Sequence, residues 1–319
     1  MPAVAQQVDK IVVITRKTPL EDLIERFNSR DQARFYIEHL GASFDEYVAE
    51  HDTYHRALDS LQASLPDEPR HQCIERSFLP TIHFNDDDLV VTIGQDGLVV
   101  NVAKYLTDQR ILAFNPDPQR IDGVLIPFLV HEAKRVLPLV LAGALPVRRI
   151  SMAKAELNDG QSLYAVNDLF VGPRSHGSAR YLLDFQGTRE PQSSSGIIIS
   201  TGTGSTGWLQ SIVTGATHVA RSILHADLSV PEPRSYRLSQ ESEELYFSVR
   251  EPFTSQVSRA TVVFGKIGAE EFLSITSQMP GYGVIFSDGV EADFLAFNAG
   301  VVARIGLANR KAHLLVRAY

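Results

Sequence analysis

Up to about residue 143 the apolar residues fall in short unbroken runs separated by stretches of helical period, and beyond it they alternate with polar residues in one strand-like segment after another. Strands buried on both faces read as continuous Val, Ile and Leu, the mark of a parallel sheet covered by helices. Ile11 to Thr15 (IVVIT), the DLVVTIG run from Asp88, CIERSF from Cys73 and Ile111 to Phe114 (ILAF) are such runs. Between them, Leu20 to Leu40 reads as a helix ended by Gly41, Val48 to Leu65 as a weaker one closed by the sequence PDEP, and GLVVNVAKYL from Gly97 as a third. A long apolar helix is expected from Pro127 to Gly143, where glycine can serve as a C-terminal cap.

The texture then changes. RRISMAKAEL and QSLYAVNDLFVG flank Asn158-Asp159-Gly160, a turn signal that predicts a hairpin, and RYLLDF, GIIIST, ATVVFG, FLSITS, YGVIFS and VARIGLA continue as strands. The expected fold is a Rossmann-like α/β N-terminal domain with a parallel sheet plus a mainly antiparallel β C-terminal domain. The expected bounds are 1–125 for the α/β domain, 126–295 for the β-rich, substrate-binding domain, and 296–319 for a segment packing back on the first. Ile212 to Arg237 is polar, carries prolines and gives no clear pattern.

With 319 residues, two domains are the expectation. The formal net charge is -8, so generic attraction to nucleic-acid phosphates is excluded, and a polyanionic ligand would need backbone amides or a metal ion to receive it. No apolar run approaches the roughly 20 residues that span a bilayer, so no membrane partner is expected. Cys73 is the single cysteine, which rules out an intrachain disulfide and a multi-cysteine metal site. MPAVAQQVDK has neither an apolar signal core nor an Arg-rich presequence, and the expected location is cytoplasmic.

Three motifs carry chemistry. The first is Gly94-Gln95-Asp96-Gly97, between a strand and a helix: glycines opening onto a helix N-terminus present N–H groups and a positive dipole end to phosphate. A carboxylate there repels phosphate unless it accepts the proton of an attacking hydroxyl or organises Mg²⁺; an ordinary Asp-Gly turn is the commoner use of the pattern. The second is the Ser194 to Trp208 stretch, SSGIIISTGTGSTGW, in which glycines admit a ligand to the backbone and hydroxyls can meet ribose and phosphate oxygens. Gly202 to Gly207 also fits G-x-G-x-x-G, but in a β-rich setting it does not open a βαβ unit, and no Lys follows to make a Walker A loop. The third is Asn167-Asp168, an amide and a carboxylate suited to sugar hydroxyls and an adenine amino group, or else an exposed turn pair. His51 and His55, four apart, lack the Glu of H-E-x-x-H and read as a solvated pair, so no residue is assigned as a metal ligand. Asp86-Asp87-Asp88 reads as a solvated turn.

Taken together, the three motifs in this order resemble the NAD kinase family, which belongs to an NAD kinase/diacylglycerol kinase-like fold. The likeness is greatest to the mitochondrial-type branch, through Asn115-Pro116-Asp117-Pro118-Gln119-Arg120 with Gly123, the loop Ser194-Ser195-Gly196 to Thr201-Gly202-Thr203-Gly204-Ser205 with Trp208, Arg250-Glu251-Pro252, the early ITRKT and the late SDGVEADFLAFNAG. It spans roughly residues 10 to 315. The resemblance implies two domains with the active site between them, ATP as phosphoryl donor, Mg²⁺ or another divalent cation, NAD as acceptor, and a homodimer or larger homo-oligomer. It makes Asp96 the proton acceptor and gives Gly94, Gln95 and Gly97 the phosphates. Asn167 and Asp168 would then hold the adenosine end, and Thr203, Gly204, Ser205, Thr206 and Trp208 would line the dinucleotide. Two positions depart from the family pattern. Gln95 replaces a glycine, which strains the loop if that position requires positive φ, and Asp168 replaces a Glu, shortening its reach by one methylene.

Overall fold

The computed structural model describes residues 8–225 and 227–318. The chain divides into two compact units, Met1–Arg148 with His313–Tyr319, and Arg149–Ala312. The first unit extends past the expected boundary at 125, because the helix that follows that point supplies Ala133, Val136, Leu137 and Val140 to the first unit's core.

In the first unit, β1 (Lys10–Thr15), β2 (Arg70–Glu75), β3 (Asp88–Ile93) and β4 (Arg110–Asn115) form a parallel sheet in the order β2-β1-β3-β4. Beside β4 lie β5 (Phe128–Leu129) and, at its start, His313 and Leu314, which pair in parallel with Arg110 and Ile111. Every residue of β3 is buried, as a strand covered on both faces should be. The helices are α1 (Pro19–Phe27), α2 (Arg30–His39), α3 (Phe44–Gln62), α4 (Asp96–Ala103) and α5 (Ala133–Leu141). Two helices therefore replace the single one expected from Leu20 to Leu40. Asn28, at φ 59, ends α1, and the Ser29 hydroxyl accepts the Gln32 N–H at 3.2 Å to start α2. Asp88 is not solvated either. Its side chain is 1% exposed, lies 3.3 Å from the Lys10 ammonium and accepts the Asn85 N–H.

The second unit holds two sheets. The strands are β6 (Val147–Leu157), β7 (Ser162–Ala165), β8 (Asp168–Pro173), β9 (Ala179–Phe185), β10 (Thr188–Ser194), β11 (Ile197–Ser200), β12 (Leu245–Val249), β13 (Phe264–Ile267), β14 (Leu273–Ser277), β15 (Gly283–Ser287), β16 (Val290–Ala296) and β17 (Val302–Leu315). One sheet runs β10-β9-β14-β17, with β6 and β7 beyond β17, and the other runs β13-β12-β11-β8-β15-β16 with antiparallel neighbours throughout. Alternation decides the faces. Leu169, Val171, Ile197, Ile199 and Ile285 join Leu183, Ile275 and Ile305 in one core, while Phe170, Ile198 and Val284 point the other way and receive Ile212 of α6 (Trp208–Leu224). That helix occupies the first half of the stretch from Ile212 to Arg237, which gave no clear pattern in the sequence. The expected hairpin is present, with β6 and β7 antiparallel around Gly160 at φ 88. Among the described residues no helix is long and apolar enough to cross a membrane.

Candidate functional site

In the first unit, β3 empties through Gly94 and Gln95 into α4, whose first helical residue is Asp96. Both oxygens of the Asp96 carboxylate are held by backbone: Oδ1 accepts the Leu125 N–H at 2.8 Å and Oδ2 the Val124 N–H at 3.0 Å. Each oxygen keeps a lone pair, and the side chain is half-exposed, so the group is oriented and still open to a hydroxyl or a hydrated cation. Among the described residues no side chain caps the α4 N-terminus, so its dipole end is left for an anion. A Cβ on Gly97 would meet nothing within 4 Å, whereas one on Gly94 would lie 2.9 Å from the Leu98 side chain.

Gln95 takes φ -88, ψ 167, ordinary extended backbone, so the strain expected of a non-glycine residue at this position is absent. Its side chain lines a small cavity of about 60 Å³ with Arg16, Tyr54 and Asp117. The Asn115 to Arg120 motif closes on itself: the Asn115 side chain accepts the Asp117 N–H and donates to Ile121, and Arg120 pairs with Asp117 at 2.8 Å. Gly123, at φ 68, then turns the chain towards the two N–H groups that grip Asp96.

In the second unit Asp168 begins β8, and Asn167 precedes it. The carboxylate of Asp288, in the tight turn between β15 and β16, accepts from the N–H groups of Val166, Asn167 and Asp168 at 3.1, 2.7 and 3.2 Å. Burial pushes the Asp168 carboxyl up to about 7; the Ser200 hydroxyl bond opposes the shift and the nearby Asp288 charge adds to it. Gly204 touches this pair so closely that a Cβ would lie 2.2 Å from the Asn167 carbonyl and 2.6 Å from Asp168 Oδ1. The turn Thr201 to Thr206 is stitched by its own hydroxyls. Thr201 Oγ1 accepts from Thr203 and Gly204, Ser205 donates to Gly202, and Thr206 donates to Thr203. Among the described residues the buried Thr203 hydroxyl has no hydrogen-bond partner.

Trp208 opens α6, 39% exposed and edge-on to Phe170 at 6.3 Å. Both line a cavity of about 460 Å³ with Arg174, Arg250, Phe286 and Phe294. Its surroundings are therefore cavity wall rather than core. The G-x-G-x-x-G match follows β11, which pairs antiparallel on both sides, so it does not open a βαβ unit.

The structure thus gathers Asn167, Asp168 and Thr203 to Thr206 into one cluster, and sets Gly94 to Gly97 around an oriented Asp96. The anchors Val124, Leu125, Ser200 and Asp288 were not foreseen. The Asp288-Gly289 turn had a local signal, since both residues take positive φ as an Asp-Gly hairpin turn does, but its target lay 120 residues away.

No family model matches the chain. Human mitochondrial NAD kinase 2 is 22% identical over 321 residues, covering 78% of this chain and 72% of that protein. The rat protein of the same name is also 22% identical, over 320 residues, covering 78% and 74%. Among solved structures, yeast NADH kinase complexed with NADH aligns with TM-score 0.58 and 15% identity, over 98% of this chain and 85% of that one. An NAD kinase from Archaeoglobus fulgidus in complex with ATP aligns with TM-score 0.53 and 15% identity, over 96% and 93%. The chain has the two-domain fold of the NAD kinases, and its sequence resembles that family across most of its length.

Proposed function

We propose that the chain is an ATP-dependent NAD kinase that transfers the γ-phosphoryl group to the 2′-hydroxyl of the adenosine ribose of NAD, giving NADP and ADP. The observation that carries this is Asp96, a carboxylate at an uncapped helix N-terminus, oriented by two backbone N–H groups and retaining lone pairs for a hydroxyl. In the reaction the bond between the γ-phosphorus and its bridging oxygen breaks and a phosphorus–ribose oxygen bond forms. Asp96 receives the hydroxyl proton. Little covalent work falls to the protein, so holding the reactants in line supplies most of the acceleration.

The α4 N-terminus and the backbone of Gly94 and Gly97 would receive donor phosphates. Asp96 is the carboxylate that would reach a divalent cation's oxygen shell, and such a cation, when bound with ATP, neutralises phosphate charge. Asn167 and Asp168 would hold the adenosine end, and Thr203 to Thr206 the remaining dinucleotide. The unsatisfied Thr203 hydroxyl supports that role, because a buried polar group without a partner is costly and a ligand oxygen would satisfy it. The neighbours solved with NADH and with ATP support both ligand classes.

A second reading keeps the kinase and changes the acceptor to a sugar, nucleoside or lipid hydroxyl, and it is favoured by Asp168, one methylene shorter than the family Glu. A third is a nucleotide-binding protein without catalysis. ATP consumption by the purified protein against NAD, NADH, nucleosides and sugars separates them. Turnover with NAD or NADH is expected; turnover with another alcohol alone would establish the second reading, and binding without turnover the third.

A further inference from the structure

His51 and His55 are one helical turn apart on α3, the spacing that puts two side chains on one face. Their ring centroids are 4.3 Å apart. A carboxylate joins them from another helix: Glu21 of α1 places Oε1 3.2 Å from His55 Nε2. Each of the three offers one ligand atom, these atoms lie within 4.8 Å of one another, and the group is the only one of its kind among the described residues.

We propose that Glu21, His51 and His55 form a binding site for a zinc-class divalent cation, clamping α1 to α3. Zinc takes imidazole nitrogen and carboxylate oxygen at about 2.0–2.2 Å, which sets tetrahedral ligands about 3.4 Å apart. The pair at 3.2 Å already has that spacing, and the His51 ligand atom lies within 4.8 Å of both. Two imidazoles and one carboxylate select zinc, cobalt or nickel over magnesium or calcium, which prefer all-oxygen shells.

The surroundings are those of a supported site. The second carboxylate oxygen of Glu21 accepts the Thr18 N–H at 2.6 Å, and the Thr18 hydroxyl, fully buried, lies 2.9 Å from His51 Nδ1. These contacts fix the orientation of two of the three ligands, as outer-shell groups do at metal sites. All three ligands are half-exposed, leaving an entry path and an open position for water. The clamp would stiffen the wall of the Gln95 cavity. From the same helix the Tyr54 hydroxyl accepts the Arg16 N–H at 3.0 Å and Glu50 pairs with Arg16 at 3.0 Å.

The test is calorimetric titration of the full chain, free of nucleotide, with zinc chloride and separately with cobalt chloride, together with zinc-edge X-ray absorption. One zinc per chain is expected, with a light-atom shell at about 2.0–2.1 Å and no sulfur. His51→Gln and His55→Gln should each lose more than the roughly 10–100-fold in affinity that removal of an outer-shell partner costs. Glu21→Gln can keep the Thr18 cap, and so the fold, while weakening zinc. No binding at submillimolar zinc, or affinity unchanged in the histidine variants, overturns the site. Should those variants fail to fold, the wild-type absorption spectrum still decides: a sulfur shell near about 2.3 Å would assign the metal to Cys73 instead.

Discussion

Replacing Asp168 by asparagine tests how the adenosine-binding cluster is built. The folded-state pKa of Asp168, about 7, lies above the ordinary 3.8, so folding takes up a proton between those values. The contribution of this group to stability is therefore fully present below about pH 4 and is lost as the pH rises through about 7. At 1.36 kcal/mol per pKa unit, the loss between pH about 5 and about 8 comes to about 2.5 kcal/mol, and allowing for the partial exposure of the residue leaves about 1.5 kcal/mol. The amide introduced by Asp168→Asn can still accept from Ser200 but does not titrate. Denaturant unfolding of wild type and Asp168→Asn at both pH values gives a double difference in which the titrating groups that do not interact with Asp168 cancel. The variant should gain on the wild type by about 1.5 kcal/mol from the lower to the higher pH. A stability difference independent of pH would refute the account of Asp168 as a carboxylate held at the cost of burial beside Asp288.

Asp96→Asn should lower kcat by roughly 10²-fold or more while leaving dinucleotide affinity within a few-fold, because the amide cannot take the proton; steady-state kinetics beside calorimetric NAD binding checks both. Gly97→Ala has room for its methyl and gains helix propensity, so the melting temperature should hold or rise while KM for ATP increases, the Cβ now standing where phosphate would approach. Gly204→Ala has no room. It should cost on the order of 1–3 kcal/mol in denaturant unfolding and abolish NAD binding. Gln95→Gly relieves no strain, since the backbone is already extended, so the melting temperature should stay level or fall; a clear rise would show that the loop is strained after all.

The parallel sheet, the antiparallel second domain and the N-D-G hairpin were legible because each rests on local periodicity or turn chemistry. The break at Asn28-Ser29 was hidden by apolar spacing that continues smoothly across it. The helix from Trp208 was masked by its glycine-rich approach and polar face. Site residues divide in the same way: the glycine loops show in the sequence, whereas their anchors act across space. The Asp96 carboxylate is gripped 28 and 29 residues downstream, and Glu21 meets His55 across 34. Asp88, one of three consecutive acids, is buried with Lys10 of the neighbouring strand and the Asn85 N–H beside it.

The return of the last residues to the first unit bears on how the chain is made. His313 and Leu314 pair with the start of β4, and Arg317 is bonded through its guanidinium to Glu132 at 2.8 and 2.5 Å. Between Arg148 and His313 lie the 164 residues of the second unit. At a ribosomal rate of about 5–20 residues per second, that segment takes roughly 8–30 s to synthesise. Throughout that interval the edge of β4 is without its final partner, and Leu315 is missing from the first core. The second unit, by contrast, is contiguous and can close as soon as it emerges. Folding on the ribosome is thus expected to finish out of order, the later-made unit first and the earlier-made one last. Removal of the final seven residues should therefore leave a folded β domain attached to an incomplete α/β unit with an open strand edge, the kind of edge through which chains aggregate.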